Sequence, residues 1–474
     1  MTWLYLPITS QPRELDAKLV LAHEARKAGL RPVIGYKSSF LTQLPLLEPG
    51  VFLAHNARQK IENLAQVRHF GNSVAVLDEE SLVRQTDDIF WKKHRKDAFS
   101  NVDQILTWGE NDAALWPSYG VDPRIGVNVV GNPRFDLLRP ELAAYHSIDV
   151  AKLVARFGSY VLLNTNFPTV NNLTPQGGGV RIAKWAMDQT GQDLNDRFLA
   201  FKQANFEAQL ALIAPLARAI APLSLVVRPH PNEDHGPWRR VAQGLDNVHV
   251  VFEGNVVPWL LGAKALIHNN CTTGVEGVAA GKLVLNYVPF TSEFDNPLFH
   301  AFGTNCRDVE ALAEGIKVSD RAESASQITQ DWERLRRFVI SVDGPLSAKR
   351  ITETIISIGK DGLARPKRPA RPARILAAIM TEAGRQARLA SYNFTAKGRE
   401  NRRFLAERFP QIKIQDLDIE QLRYSQEQLD LMMRQFPPLD LADIGSRLAR
   451  LSAILGSESV YRVKPLRGAL VEVV

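Results

Sequence analysis

Two successive trains of short apolar runs, each alternating with segments of helical spacing, constrain this chain more than any other feature. WLYLPI (3–8) reads as a buried strand, and RELDAKLVLAHEARKAGL (13–30) follows as a helix with Gly29 near its stop. RPVIGYK, VFLAHN, SVAVLDEE, QILTWGE and IGVNVVGN continue as short strands with helical segments between several of them, and PRFDLLRPEL (133–142) starts a helix that closes the first train. The pattern restarts at YVLLNTNF (160–167), passes through a long helix over DLNDRFLAFKQANFEAQLALIAPLARAIA, and continues with the strands LSLVVRPHP, VHVVFEG, KALIHNN and KLVLNYVP. Such alternation predicts parallel, doubly wound sheets. The expected fold is α/β, with two Rossmann-like doubly wound domains, 1–150 and 151–360, facing a cleft. A Pro/Arg-rich break, DGLARPKRPARPARI (361–375), then introduces a helical C-terminal appendage over 361–474. No Rossmann GxGxxG is present; TPQGGGV (174–180) follows a polar stretch and reads as a flexible loop.

A chain of 474 residues can bury two or three cores. Cys271 and Cys306 are its two cysteines, which excludes a disulfide framework or a Cys-based zinc cluster and suits a reducing compartment. The N-terminus has neither the basic start nor the apolar core of a signal peptide, and no run of about 18 apolar residues occurs. A cytoplasmic protein is expected, with a peripheral place on the inner face of the membrane left open. The net charge of +7 is concentrated. Between Gly362 and Ile412 stand 12 Arg and Lys against three Glu, or +9, which leaves about −2 for the rest. The basicity therefore belongs to one region and gives no general affinity for nucleic acid.

HNNCTTGVEGVAAGK (268–282) places small polar groups between two apolar runs. It reads as the end of a strand, a loop and the start of a helix. Ligands of open α/β sheets sit at the carboxyl ends of strands, and a helix N-terminus offers N–H groups to an anion. His268 and Asn270 stand at that edge. Thr272 and Thr273 add hydroxyls, Gly274 lets the backbone come close, and Glu276 can accept from ribose hydroxyls. The same residues also read as a capping box, Thr272 or Thr273 with Glu276. RPHPNED (228–234) follows another strand, so Arg228 and His230 emerge at the same edge. Arginine supplies a fork for phosphate, and histidine can donate to a phosphate oxygen or protonate a leaving phosphate.

RELDAKLVLAHEARKAG, VLDEE, GNPRFD, RPHPNED and HNNCTTGVEGVAAGK, in that order over about 1–345, resemble the bacterial surface-carbohydrate (surface polysaccharide) biosynthesis family, which is similar to GT-B glycosyltransferases. The His-Pro pair also resembles one in GT-B enzymes that use CMP-activated acidic sugars such as sialic acid or Kdo, with Thr272 and Thr273 where those enzymes often carry serines. The resemblance implies a metal-independent transferase without a cofactor beyond its nucleotide-sugar donor, acting on a glycan or lipid-linked acceptor, with the second domain holding the nucleotide.

Sugar transfer passes through an oxocarbenium-like state and needs a carboxylate as base or nucleophile, with donors to hold the departing phosphate. Glu14 and Asp16 in QPRELD are the first candidates, beside Arg13, which can hold an acidic sugar. Asp78, Glu79 and Glu80 in VLDEE are the alternative acids. For all five the competing reading is structural: acids in a first helical turn, or a solvated loop. Asn132 (GNPRFD), Asn164 (NTNF) and Glu253 (FEGNVVPWL) are further candidates for the substrate or nucleotide. QTDDIF and TSEFDN are poor metal motifs, and no metal is expected.

RILAAIMTEAGRQARLASY (374–392) has Ile375, Leu376, Ile379 and Met380 near Arg374, Arg385 and Arg388. It reads either as a helix packed on the protein or as one lying on an anionic membrane through the 362–412 region. Two rival readings remain: a nucleotide-sugar 2-epimerase of the same fold, and a non-catalytic assembly or membrane-docking protein.

Overall fold

In the computed structural model, the residues described are 2–57, 61–83, 94, 96–173, 192–319, 322–360, 367–393, 395–409, 425–426, 429–430, 433, 437, 439–457, 461–466 and 469–474. TPQGGGV, QTDDIF and residues 361–366 of the Pro/Arg break lie outside them. The chain divides into two compact units. One is Met1–Ser81 with Phe90–Leu137 and Arg337–Val474; the other is Leu82–Ile89 with Leu138–Arg336.

The first unit is built on β1 (Trp3–Ile8), β2 (Arg31–Tyr36), β3 (Gly50–Ala54), β4 (Ser73–Leu77), β5 (Gln104–Thr107), β6 (Gly126–Val129), β13 (Val463–Pro465) and β14 (Val471–Val473), in the order β13-β14-β2-β1-β3-β4-β5-β6. β1 to β6 run parallel, and β3 and β4 are buried at every position, as strands covered on both faces must be. Strand order reverses between β1 and β3, so their carboxyl ends open the switch point at which doubly wound sheets bind ligands. The helix Gln11–Lys27 leaves β1 with Pro12 in its first turn and ends before Gly29, whose φ of +83° a side chain would strain.

That helix is buried almost all round, because the helices Ser347–Lys360 and Leu441–Ile454 also pack on it. The sequence places residues after 360 in a separate helical appendage. Instead they rejoin the first unit and add two strands, β14 pairing antiparallel with β2 and β13 with β14. Asp136 anchors the return: its carboxylate accepts from the backbone N–H groups of Ser347 (2.8 Å) and Ala348 (2.9 Å), the orphan donors at the start of the helix Ser347–Lys360. Replacing Asp136 by alanine is expected to cost about 2 kcal/mol, read as a lower urea midpoint at unchanged slope.

The second unit carries β7 (Tyr160–Asn164), β8 (Ser224–Arg228), β9 (Val248–Val250), β10 (Ala265–His268), β11 (Leu283–Tyr287) and β12 (Thr304–Cys306), all parallel, in the order β12-β11-β10-β7-β8-β9. Its switch point lies between β7 and β10. Phe206, Leu212, Ile213, Leu216 and Ala217 of the long helix Gln192–Ala219 pack on Val161, Leu163, Val227, Ile267 and Leu285 of the sheet. β12 went unrecognised in the sequence because it is three residues long, with Thr304 and Asn305 exposed, and so shows no apolar run. Among the described residues, no helix is long and apolar enough to cross a membrane.

Candidate functional site

At the edge of the second sheet, register sets four polar residues side by side. Asn286 of β11 pairs with His268 of β10, His268 with Asn164 of β7, and Asn164 with Arg228 of β8. Residues level with one another on parallel strands share a face, so all four present side chains to the same side. All four are buried. Buried polar atoms ordinarily find partners, yet Asn164 Oδ1 and Arg228 Nε have none. Arg228 donates through Nη2 to Gly254 O at 2.7 Å and lies over the Phe252 ring, and burial lowers its guanidinium to about 10.

Glu233 organises the loop after β8. Its carboxylate accepts from Thr165 Oγ1 (2.6 Å), Phe167 N (2.9 Å), Trp238 Nε1 (3.0 Å), His230 N (3.2 Å) and Asn171 Nδ2 (3.3 Å). It thereby ties the β7 loop to the RPHP turn. The half-buried His230 accepts from Asn232 N through Nδ1 at 3.2 Å. Lys202, from the long helix, donates to Asn166 O at 2.9 Å, and burial lowers its ammonium to about 8. Asn166 in turn donates to Asn270 O at 2.9 Å, joining the loops after β7 and β10. Asn270 has a φ of +49°, and its Oδ1 accepts from Asn296 N.

The HNNCTTG segment departs from its expected roles in three respects. His268 is fully buried, and burial, with His300 adding to it, lowers it to about 3, so the ring is neutral. Its Nε2 lies directly under Gly274, where any Cβ would collide with it. The glycine thus makes room for the histidine ring. Thr272 makes no side-chain cap, so the capping box does not form, and the helix Thr273–Ala279 is short. Thr273 Oγ1 donates to Cys271 Sγ at 3.0 Å, and Glu276 is buried within the helix. Glu253 is exposed and ion-paired with Arg156 at 2.9 Å, in the loop whose Phe252 and Gly254 touch Arg228.

In the first unit, Glu14, His55 and Glu79 gather beyond β1, β3 and β4. Glu14 accepts from Thr9 N (2.9 Å) and Thr9 Oγ1 (2.7 Å), and its Oε2 stands 3.7 Å from His55 Nδ1. His55 Nε2 is buried with no hydrogen-bond partner, and burial lowers the imidazole against the pull of Glu14. Glu79 pairs with Lys18 at 2.8 Å and accepts from Asn132 Nδ2 at 3.2 Å. Burial alone would raise its carboxyl, but Lys18, with Arg134 nearby, outweighs burial and holds it far below the carboxylate range. The Glu79 carbonyl accepts from Arg13 (3.1 Å) and Arg134 (3.4 Å). Burial, with Arg13 nearby, lowers Arg134 to about 10.

The other sequence candidates have structural partners. Asp16 binds Arg447 of the helix Leu441–Ile454 at 2.8 Å. Asp78 accepts from Glu80 N (2.9 Å), faces His94 Nε2 (3.3 Å), and takes the Trp108 indole on its carbonyl. The half-exposed Glu80 meets Arg13 at 3.4 Å. Asn132 Oδ1 caps the helix Pro133–Asp136. Sequence reasoning passed over His55, Lys18, Lys202 and Glu233. The signal for His55 was present: HN directly follows a strand at the switch point. Lys18 and Lys202 sit inside helices, where spacing alone makes them surface residues. Among the described residues, no group of three or more His, Cys, Asp or Glu is placed to hold a metal ion.

No protein-family model matches the chain, and no curated protein matches it. Among solved structures, the wall teichoic acid polymerase TagF, soaked with CDPG, superposes with a TM-score of 0.50 at 12% identity over 77% of this chain and 90% of its own. The S. aureus MnaA–UDP structure gives 0.48 at 13% identity over 78% and 100%. The UDP-GlcNAc 2-epimerase of Neisseria meningitidis bound to UDP-GlcNAc gives 0.48 at 14% over 75% and 100%. The likeness to TagF is one of fold: two parallel-sheet α/β units of the GT-B type.

Proposed function

We propose that the protein is a glycosyltransferase of surface-polysaccharide assembly that takes its sugar from a nucleotide donor. The observation that carries this reading is the strand-end row of the second unit, where Asn164 Oδ1 and Arg228 Nε are buried at a doubly wound switch point without partners. Arg228, His230 and the Thr272 hydroxyl supply donors for the donor's phosphate, Thr273 joins them where its hydroxyl turns from Cys271, and Lys202 adds a positive charge beside the same loops.

Within the first unit, His55 is the residue best equipped to accept a proton. Glu14 is already engaged by Thr9, whereas His55 Nε2 is unpartnered and its ring is neutral, with Glu14 across Nδ1 to orient it. In the transfer, the acceptor hydroxyl oxygen bonds to the anomeric carbon and gives its proton to a general base, a role for which His55 Nε2 has the free nitrogen. The bond from that carbon to the phosphate oxygen breaks, and the nucleotide leaves with the electron pair. A glycan or lipid-linked acceptor fits this reading, and a CMP-linked ulosonic acid is the donor the His-Pro resemblance favours.

A thermal-shift panel of CMP, CDP, UDP and GDP tests the donor side. A rise in Tm with one nucleotide is expected, lost in Arg228→Ala, with a CMP-selective rise supporting the acidic sugar. No shift with any nucleotide would overturn the reading. Conversion of a donor sugar to its epimer without acceptor would replace the transferase with an epimerase.

A further inference from the structure

The helix Arg371–Asn393 turns an apolar face outward. Ile375, Leu376, Ile379 and Met380 are 44%, 58%, 60% and 66% exposed. At about 100° per residue these four span an arc of roughly 140°. Ala383 and Ala387 extend the same stripe along the axis. The opposite side is the packed one: Leu389 and Tyr392 are buried there, and Arg374 reaches the carbonyl of Pro45 at 3.4 Å. The helix therefore already has its core contact, and its second apolar face is surplus to folding. Scattered exposed apolar side chains are ordinary, but a contiguous outward stripe on one helix marks an interaction surface.

Charge identifies what covers it. Arg371 and Arg388 on this helix are exposed, as are Lys397, Arg399, Arg402, Arg403 and Arg408 on the following helix, Ala396–Arg408. The 362–412 segment carries +9, against about −2 for the rest of the chain. An apolar stripe bordered by Arg371, on a pair of helices that carry many exposed cations and cannot span a bilayer, is complementary to an anionic lipid surface. We propose that this face docks the protein on an anionic bilayer, with the four apolar side chains entering the acyl boundary and the arginines meeting lipid phosphates.

Co-sedimentation of the full chain with vesicles tests it. Binding is expected to vesicles of phosphatidylcholine with phosphatidylglycerol, to fall on adding salt, and to be weak with phosphatidylcholine alone. The variant Leu376→Ser with Met380→Ser, and separately Arg371→Glu with Arg388→Glu, should each lower the vesicle-bound fraction about tenfold. All four residues are exposed, so folding should persist, checked by an unchanged melting curve. Equal binding to both vesicle types, or variants that bind as the parent does, would overturn the proposal. So would a serine variant that keeps its vesicle binding but loses mass on a sizing column, because the face would then cover a second copy of the chain. None of these readouts depends on nucleotide, so they stand apart from the donor test.

Discussion

Sugar transfer by a His55→Ala variant is expected to fall by about 10²- to 10⁴-fold, the range a positioned general base supplies. The expectation rests on a contrast between two neighbours. Glu14 spends both carboxylate oxygens on Thr9, whereas His55 keeps Nε2 unengaged inside the protein. Glu14→Gln should therefore act through orientation, with a smaller loss in kcat. The pH profile separates a base from a packing residue. Burial lowers the His55 imidazole, and a base works in its neutral form, so the acid limb of the parent should lie below the usual imidazole value of about 6.5. That limb should vanish in His55→Ala while nucleotide binding stays intact. A variant with transfer near the parental rate would remove His55 from the chemistry.

Glu233→Ala is expected to destabilise the second unit by about 3–5 kcal/mol, well beyond an ordinary substitution. Five donors converge on this fully buried carboxylate, and alanine would strand Thr165, Phe167 and Trp238, while Asn171 and His230 would keep only their bonds to Asp234 O and Thr165 Oγ1. A urea titration followed by tryptophan fluorescence reads the loss, since Trp238 is one of the five. Burial raises the Glu233 carboxyl despite these donors. Its protonation therefore favours the folded state at pH below the unfolded-state value, and that contribution is lost as pH rises through the folded-state value. Glu233→Gln should remove this pH dependence. A parental urea midpoint in Glu233→Ala would contradict the organising role.

Elements dominated by local physics were legible in the sequence. β1 to β11 were visible as short apolar runs, continuous where a parallel strand is covered on both faces and broken at the edge strands β6 and β9, and RPHPNED and HNNCTTG stood out because polar groups there interrupt such runs. What escaped depends on partners distant in sequence. Gly274 reads as backbone freedom until the His268 ring is found beneath it. Asp16 and Glu14 look alike in RELD, and Arg447, more than four hundred residues further on, is what distinguishes them. β13 and β14 are three-residue strands whose place depends on distant partners, β14 pairing with β2 and β13 with β14. Lys18 is an unremarkable helix lysine until Glu79 is placed beside it.

The return of residues 337–474 to the first unit means that Leu138–Arg336 is an insertion within another body. On a ribosome, the inserted body would have all of its strands before its host had received the helix that Asp136 caps or the strand that pairs with β2. The host must wait, with the helix Gln11–Lys27 uncovered, until nearly the whole polypeptide has emerged. A stop codon in the Pro/Arg break would thus spare the inserted body and cripple the one around it.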